Sequence, residues 1–175
     1  MYTRNLLWLV SLVSAAPLYA ADIPANTPLA PQQVFRYNNH SDPGTLDPQK
    51  VEENTAAQIV LDLFEGLVWI DSEGKVQPAQ AESWEVADSG KRYVFHLRRG
   101  LQWSDGQPLT AQDFVLGWQR AVDPKTASPF AGYLAQAHIK NAAAIVTGKA
   151  DVASLGVKAT DDRTLEVTLE QPVPW

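Results

Sequence analysis

Residues 92–98 constrain this chain more than any other stretch. Tyr93, Phe95 and Leu97 alternate there with Arg92, Val94, His96 and Arg98. A period of two puts three large apolar side chains on one face and the cations on the other, sharing it with Val94. That is the pattern of a strand buried on one side only. Such a strand requires a sheet around it and apolar elements against its inner face. The flanking sequence supplies the sheet. Asp88-Ser89-Gly90-Lys91 reads as a turn, and residues 83–86 as the strand leading into it. Residues 67–70 and 75–76, joined by Asp71-Ser72-Glu73-Gly74, read as a second hairpin. Residues 157–159 and 165–169 about Asp161-Asp162 read as a third. Val34-Phe35-Arg36-Tyr37 adds a short strand candidate, followed by a loop over 38–48 dense in Asn, Asp, Pro, Gly and Ser.

Helical signals lie between these strands. Thr55-Ala56-Ala57-Gln58 has capping-box form, and Ala56, Ile59, Val60, Leu63, Phe64 and Leu67 keep helical spacing, with Gly66 placed as a terminating glycine. Thr110-Ala111-Gln112-Asp113 is a second capping box. It opens a helix with Phe114, Val115, Trp118, Ala121 and Val122 inward, ended by Asp123-Pro124. Ser128-Pro129 starts a third helix, expected to run to about Ile139. Ala142 to Val146 gives a fourth, closed by Gly148. Antiparallel hairpins mixed with packed helices make the fold class α+β.

The N-terminus reads as an export signal. Arg4 is the only charge before Asp22, and residues 6–16 are almost wholly apolar. A run of roughly ten apolar residues suits a signal peptide and is too short to span a bilayer. Cleavage is expected after Ala20. Ala16 is the alternative site, and a buried N-terminal helix is the structural alternative to a signal. No cysteine near the cut offers a lipid anchor, and no later apolar run is long enough for a membrane span, so the mature chain is not expected to insert. Residues 21–33, with Pro24, Pro28 and Pro31, read as an extended leader. At the other end, Gln171-Pro172-Val173-Pro174-Trp175 reads as the start of a further packed segment, so the chain is expected to be truncated.

Composition narrows the function. Of 175 residues, 45% are hydrophobic and 19% charged, which fits a globular chain. A net charge of −6 argues against nucleic acid or anionic lipid as partner. With no cysteine there are no disulfides, thiol nucleophiles or thiolate metal sites. His40, His96 and His138 show no metal-ligand spacing, and no nucleophile elbow or phosphate loop is present, so no cofactor and no catalytic residue is assigned. His96 reads as a surface histidine on its strand. Asp105 and Asp113 read as a turn residue and a helix cap rather than a catalytic pair. An exported, acidic, aromatic-rich chain of this kind points to a binder more than to an enzyme.

A family pattern runs through these blocks. Ala81-Glu82-Ser83-Trp84, Tyr93-Val94-Phe95-His96-Leu97-Arg98 and residues 103–114 (Trp103-Ser104-Asp105-Gly106-Gln107-Pro108 through Phe114) resemble the signature of the family 5 extracytoplasmic solute-binding proteins. Thr45-Leu46-Asp47-Pro48, Leu61-Asp62-Leu63-Phe64-Glu65-Gly66-Leu67, Gly117-Trp118-Gln119-Arg120, Val122-Asp123-Pro124 and Leu165-Glu166-Val167-Thr168-Leu169 fit as well. The resemblance implies the periplasmic oligopeptide- or dipeptide-binding component of an ABC importer. Its ligand lies between two lobes that close by hinge motion, and the closed form docks on an inner-membrane permease. It implies that residues 1–20 are the signal peptide, 21–64 the first segment of the large lobe, and 65–175 the small mixed domain beside it. Only the N-terminal third of such a protein would then be present.

By the same resemblance Glu52, Glu53 and Asn54 present backbone and an acidic group to an extended ligand, and Phe130 reaches the cleft. Asn54 stands where a small apolar residue is expected. The implied ligand is a peptide or another small amphipathic solute, bile salts such as deoxycholate included. An exported hydrolase with its catalytic residues elsewhere, and an inactive remnant, are the competing readings.

Overall fold

A computed structural model describes residues 27–28, 31–32 and 34–173. The expected signal peptide and most of the leader lie outside the described residues, as do Pro174 and Trp175. The chain divides into two compact units, Met1–Asn38 and Asn39–Trp175.

In the first unit, residues 34–37 are extended but join no strand, contrary to expectation. The alternation of Phe35 and Tyr37 is real, yet the two rings answer it by stacking on each other, with centroids 6.0 Å apart. Phe35 stays 87% exposed. Alternation specifies a face, but a strand also needs a neighbour for its backbone groups.

The second unit holds α1 (Asn54–Leu63), β1 (Val68–Ile70), β2 (Val76–Pro78), β3 (Ala81–Ala87), β4 (Arg92–Leu97), α2 (Ala111–Val122), α3 (Ala131–Gln136), α4 (Ala142–Val146), β5 (Val157–Asp161) and β6 (Thr164–Thr168). Strands β1 and β2 form a separate hairpin, and the other four form an antiparallel sheet in the order β3-β4-β6-β5. The turn of the β1–β2 hairpin is tied by Asp71. Its carboxylate accepts from the Glu73 and Lys75 amides and the Gln77 side chain, and these donors, the Lys75 amide first, hold its pKa below the ordinary range.

The strand that constrained the sequence lies in the middle of the sheet. Tyr93 pairs with Val86 and Val167, and Phe95 with Trp84 and Leu165. Leu97, Leu165 and Val167 are buried, with Ala111, Val115 and Val122 of α2 and Ala142 and Ile145 of α4 in the same core. Tyr93, Phe95, Phe114 and Trp118 pack at its margin. On the opposite face Glu166 takes Lys158 at 2.9 Å and Arg92 at 3.6 Å, and His96 Nε2 lies 3.2 Å from Glu85. The alternation of β4 therefore separates an apolar interior from a paired ionic exterior.

Helix α2 starts where its capping box was read. The Asp113 carboxylate accepts from the Thr110 amide at 2.7 Å and the Thr110 hydroxyl at 2.9 Å. Other ends differ from expectation. Helix α1 begins at Asn54 with Glu53 as N-cap, so Thr55 lies inside the first turn rather than capping it. It ends at Leu63 because Phe64 turns extended after its amide closes on the Val60 carbonyl, and Gly66 is no terminator. Helix α3 begins at Ala131, with the Ser128 hydroxyl accepting from the Phe130 amide while it donates to the Gln49 carbonyl, and ends at Gln136 rather than near Ile139. Ile139 instead bridges Leu169 in the β manner. The β5–β6 turn falls on Asp162-Arg163, one residue later than read.

Gly156 marks a close approach of three backbone segments. Its amide donates to the Lys140 carbonyl at 2.8 Å, its carbonyl accepts from the Thr168 amide at 2.7 Å, and the Lys140 amide closes on the Thr168 carbonyl at 2.9 Å. Three segments thus meet at one residue without a side chain.

Candidate ligand-binding site

The predicted site residues sit on two neighbouring stretches. Glu52, Glu53 and Asn54 lead into α1, and Phe130 precedes α3. All four are exposed, while Val51 beside them is buried and anchors the first stretch. Phe130 is 39% exposed and lies 6.3 Å from Tyr133 in a tilted ring contact.

The two glutamates differ. The Glu53 carboxylate accepts from the Gly44 amide at 3.3 Å, under a loop so close that a Cβ on Gly44 would lie 2.6 Å from Glu53 Oε1. Glu53 is thus committed to its own loop. Glu52 makes no hydrogen bond or ion pair among the described residues, so its carboxylate is the available one. No bond joins Glu52 or Asn54 directly to Phe130. They are linked through residues to which no role was given in the sequence.

Gln49 is the centre of that link. Its side-chain amide donates to the Gly117 carbonyl in α2 and its side-chain oxygen accepts from Arg120. Its backbone carbonyl accepts from the Ser128 hydroxyl at 2.7 Å, and that same hydroxyl accepts from the Phe130 amide at 3.2 Å. Asp47 completes the arrangement. Its two oxygens accept from the two terminal nitrogens of Arg120 at 2.9 and 2.6 Å, the paired-fork geometry that is strongest for such ions. Asp47-Pro48 and Gln119-Arg120 were both visible as family-like blocks. Nothing in either shows that one carboxylate and one guanidinium, 73 residues apart, would meet.

The electrostatics follow from this geometry. Hydrogen bonding from Arg120, and less strongly the Gln49 amide and the charges of Arg120 and Lys50, outweigh desolvation and hold the Asp47 carboxyl down to about 2. A carboxylate depressed on folding stabilises the fold above its unfolded pKa and stops doing so as pH falls through the folded value. Unfolding free energy is therefore expected to fall as pH drops from the ordinary carboxylate range toward about 2. Asp47→Asn should be less stable at neutral pH and show a shallower acid slope. Urea titrations across that range check this, and an unchanged slope in Asp47→Asn would contradict it.

A polar depression lies elsewhere, at the turn end of the sheet, lined by Glu82, Ser83, His96, Asp161, Arg163 and Thr164. Its ionic groups are spent on each other. Arg163 takes Glu82 at 3.0 Å and donates to the Leu97 carbonyl, while its amide meets the Asp161 carboxylate at 2.8 Å. Among the described residues no group of three or more metal-ligating side chains is found, and no helix is long and apolar enough to cross a membrane.

Comparison with known proteins gives one answer. Residues 75–175 match the family described as "Bacterial extracellular solute-binding proteins, family 5 Middle". Over its full length the chain is 92% identical to the Escherichia coli K12 protein named "Probable deoxycholate-binding periplasmic protein YgiS", of which it covers 33%. It is 50% identical to the Escherichia coli "Periplasmic oligopeptide-binding protein OppA", with 95% of this chain and 31% of that one covered. The crystal structure of Haemophilus influenzae OppA in complex with RPPGFSPFR superposes with a TM-score of 0.75 at 48% identity, over 79% of this chain and 27% of that one. The chain thus spans about a third of the length of the curated relatives it matches. These relatives are named for binding rather than for catalysis. This chain belongs to the bacterial extracellular solute-binding proteins of family 5.

Proposed function

We propose that this chain is part of the periplasmic binding subunit of an ABC importer. It delivers a small amphipathic solute, a bile salt of the deoxycholate type or a short peptide, to an inner-membrane permease. The observation that carries the reading is the 92% identity, over the whole chain, to a protein named for binding deoxycholate in the periplasm. The site is consistent with it. Glu52 supplies an unpaired carboxylate, the extended backbone at Glu53 and the exposed start of α1 supply polar groups, and Phe130 supplies an apolar face. An extended ligand would be met by backbone and pockets together.

The division into lobes belongs to the same proposal, with 21–64 in the large lobe and 65–175 in the small domain. The side chains of α1 support it. Leu61 is 72% exposed and Leu63 59%, apolar area that further packed segments could cover. In a protein of the relatives' length, the other lobe segments would cover them. Export to the periplasm, with cleavage after Ala20, completes the reading.

Ligand-dependent stabilisation tests it. The 175-residue chain and the full-length Escherichia coli relative are melted with deoxycholate, below its micellar concentration, and with trialanine. A specific ligand at about 100 times its Kd should stabilise the binding-competent protein by about 2.7 kcal/mol. No shift in either protein with either compound would overturn the ligand assignment.

A further inference from the structure

We propose that Gln49, Arg120 and Ser128 are positioning residues that fix the spacing between Glu52 and Phe130, an inference resting on the reading of those two as ligand contacts. Three observations carry it. Gln49 uses its amide nitrogen, its amide oxygen and its backbone carbonyl on three different partners, Gly117, Arg120 and Ser128. A residue so engaged has one position relative to α2 and to the chain before α3. Glu52 follows Gln49 by three residues, through the buried Val51, and Phe130 follows Ser128 by two, its own amide bonded to the Ser128 hydroxyl. Each proposed ligand contact is thus a short chain segment away from one shared hydrogen bond. Finally, Ala127, just before Ser128, sits at φ 52°, a left-handed conformation that a side chain rarely adopts. Backbone strain of this kind persists where the surroundings enforce it, and here it aims the Ser128 hydroxyl at Gln49.

The alternative is that the network merely stabilises the unit. The two differ in what loosens when it is cut. A stabilising network changes the melting temperature and leaves the folded geometry intact. A positioning network changes one distance and spares the rest of the fold.

The chain has no cysteine, so introduced pairs can carry spin labels uniquely. One pair, Glu52→Cys with Tyr133→Cys, reports on the site. A control pair, Glu85→Cys with Thr160→Cys, reports on the sheet. With the network intact, both pairs should give a single narrow distance. Gln49→Ala and Ser128→Ala should broaden the site distance and leave the sheet distance unchanged, and Ser128→Thr, which restores the hydroxyl, should narrow it again. A site distance that stays narrow in both alanine variants overturns the proposal. So does equal broadening of both pairs, or failure of threonine to rescue. Should Gln49→Ala fail to fold, Ser128→Ala, which removes a single hydroxyl, decides alone. The distances are read without ligand. Failure of deoxycholate and trialanine to bind would refute the ligand reading, and failure of the distances to respond would refute the positioning role.

Discussion

Leu165→Ala is expected to destabilise the folded chain by about 3 kcal/mol, within the range of roughly 2–5 kcal/mol for leucine truncation in a closed core. Leu165 is fully buried in β6, between Phe95 of β4 and Ala159 of β5, and faces the core that α2 and α4 complete. Truncation removes apolar surface from burial and leaves a void that a central strand cannot collapse into, because its backbone is bonded on both sides. Against a total stability of about 5–15 kcal/mol, a loss of that size is large. Urea unfolding with an unchanged m-value measures it. Leu61→Ala is the comparison. That leucine is 72% exposed on α1, and its loss should change stability by less than about 0.5 kcal/mol. Equal effects at the two sites would mean that the core is not where the structure puts it.

Gly156→Ala should also be strongly destabilising, by about 2 kcal/mol. The usual expectation has the opposite sign. Alanine in place of a glycine whose conformation it can adopt stabilises by about 0.4–1 kcal/mol, because the unfolded chain becomes less free. Gly156 lies outside the left-handed region, so conformation alone raises no objection. Space does. An added Cβ would lie 2.6 Å from the Lys140 Cβ, 2.7 Å from the Thr168 carbonyl oxygen and 3.1 Å from the Lys140 amide nitrogen. These atoms belong to the two segments that are bonded both to Gly156 and to each other, so relief at one strains the other. A stabilised or neutral Gly156→Ala in the same urea assay would show that the junction can open without cost.

What was legible in the sequence was local. The inner face of β4, the Asp113 cap of α2, the extent of α4 and the β5–β6 hairpin each follow from patterns within about a dozen residues, where spacing and turn chemistry act directly. The errors arose where a distant partner decided the outcome. Residues 34–37 have the alternation of a strand but pair with none. Ser128 has the chemistry of a helix cap and accepts from the Phe130 amide, but its hydroxyl proton goes to the Gln49 carbonyl, 79 residues earlier. The four candidate site residues came from family resemblance, not from their own chemistry. The frame that holds them, with Asp47 and Gln49 against Arg120, was invisible because no spacing rule links residues more than 70 positions apart. The distinction between Glu52 and Glu53 was hidden for the same reason. It depends on Gly44 folding back over one of them.

The apolar side chains exposed on α1 and just past its end have a colloidal consequence. Leu61, Leu63 and Phe64 offer an adhesive surface to any neighbouring molecule, and the net charge of −6 keeps neighbours apart. Self-association of this chain is therefore favoured by exposed apolar side chains such as these and opposed by its surplus of carboxylates. Protonation or concentrated salt weakens only the repulsive half of that balance.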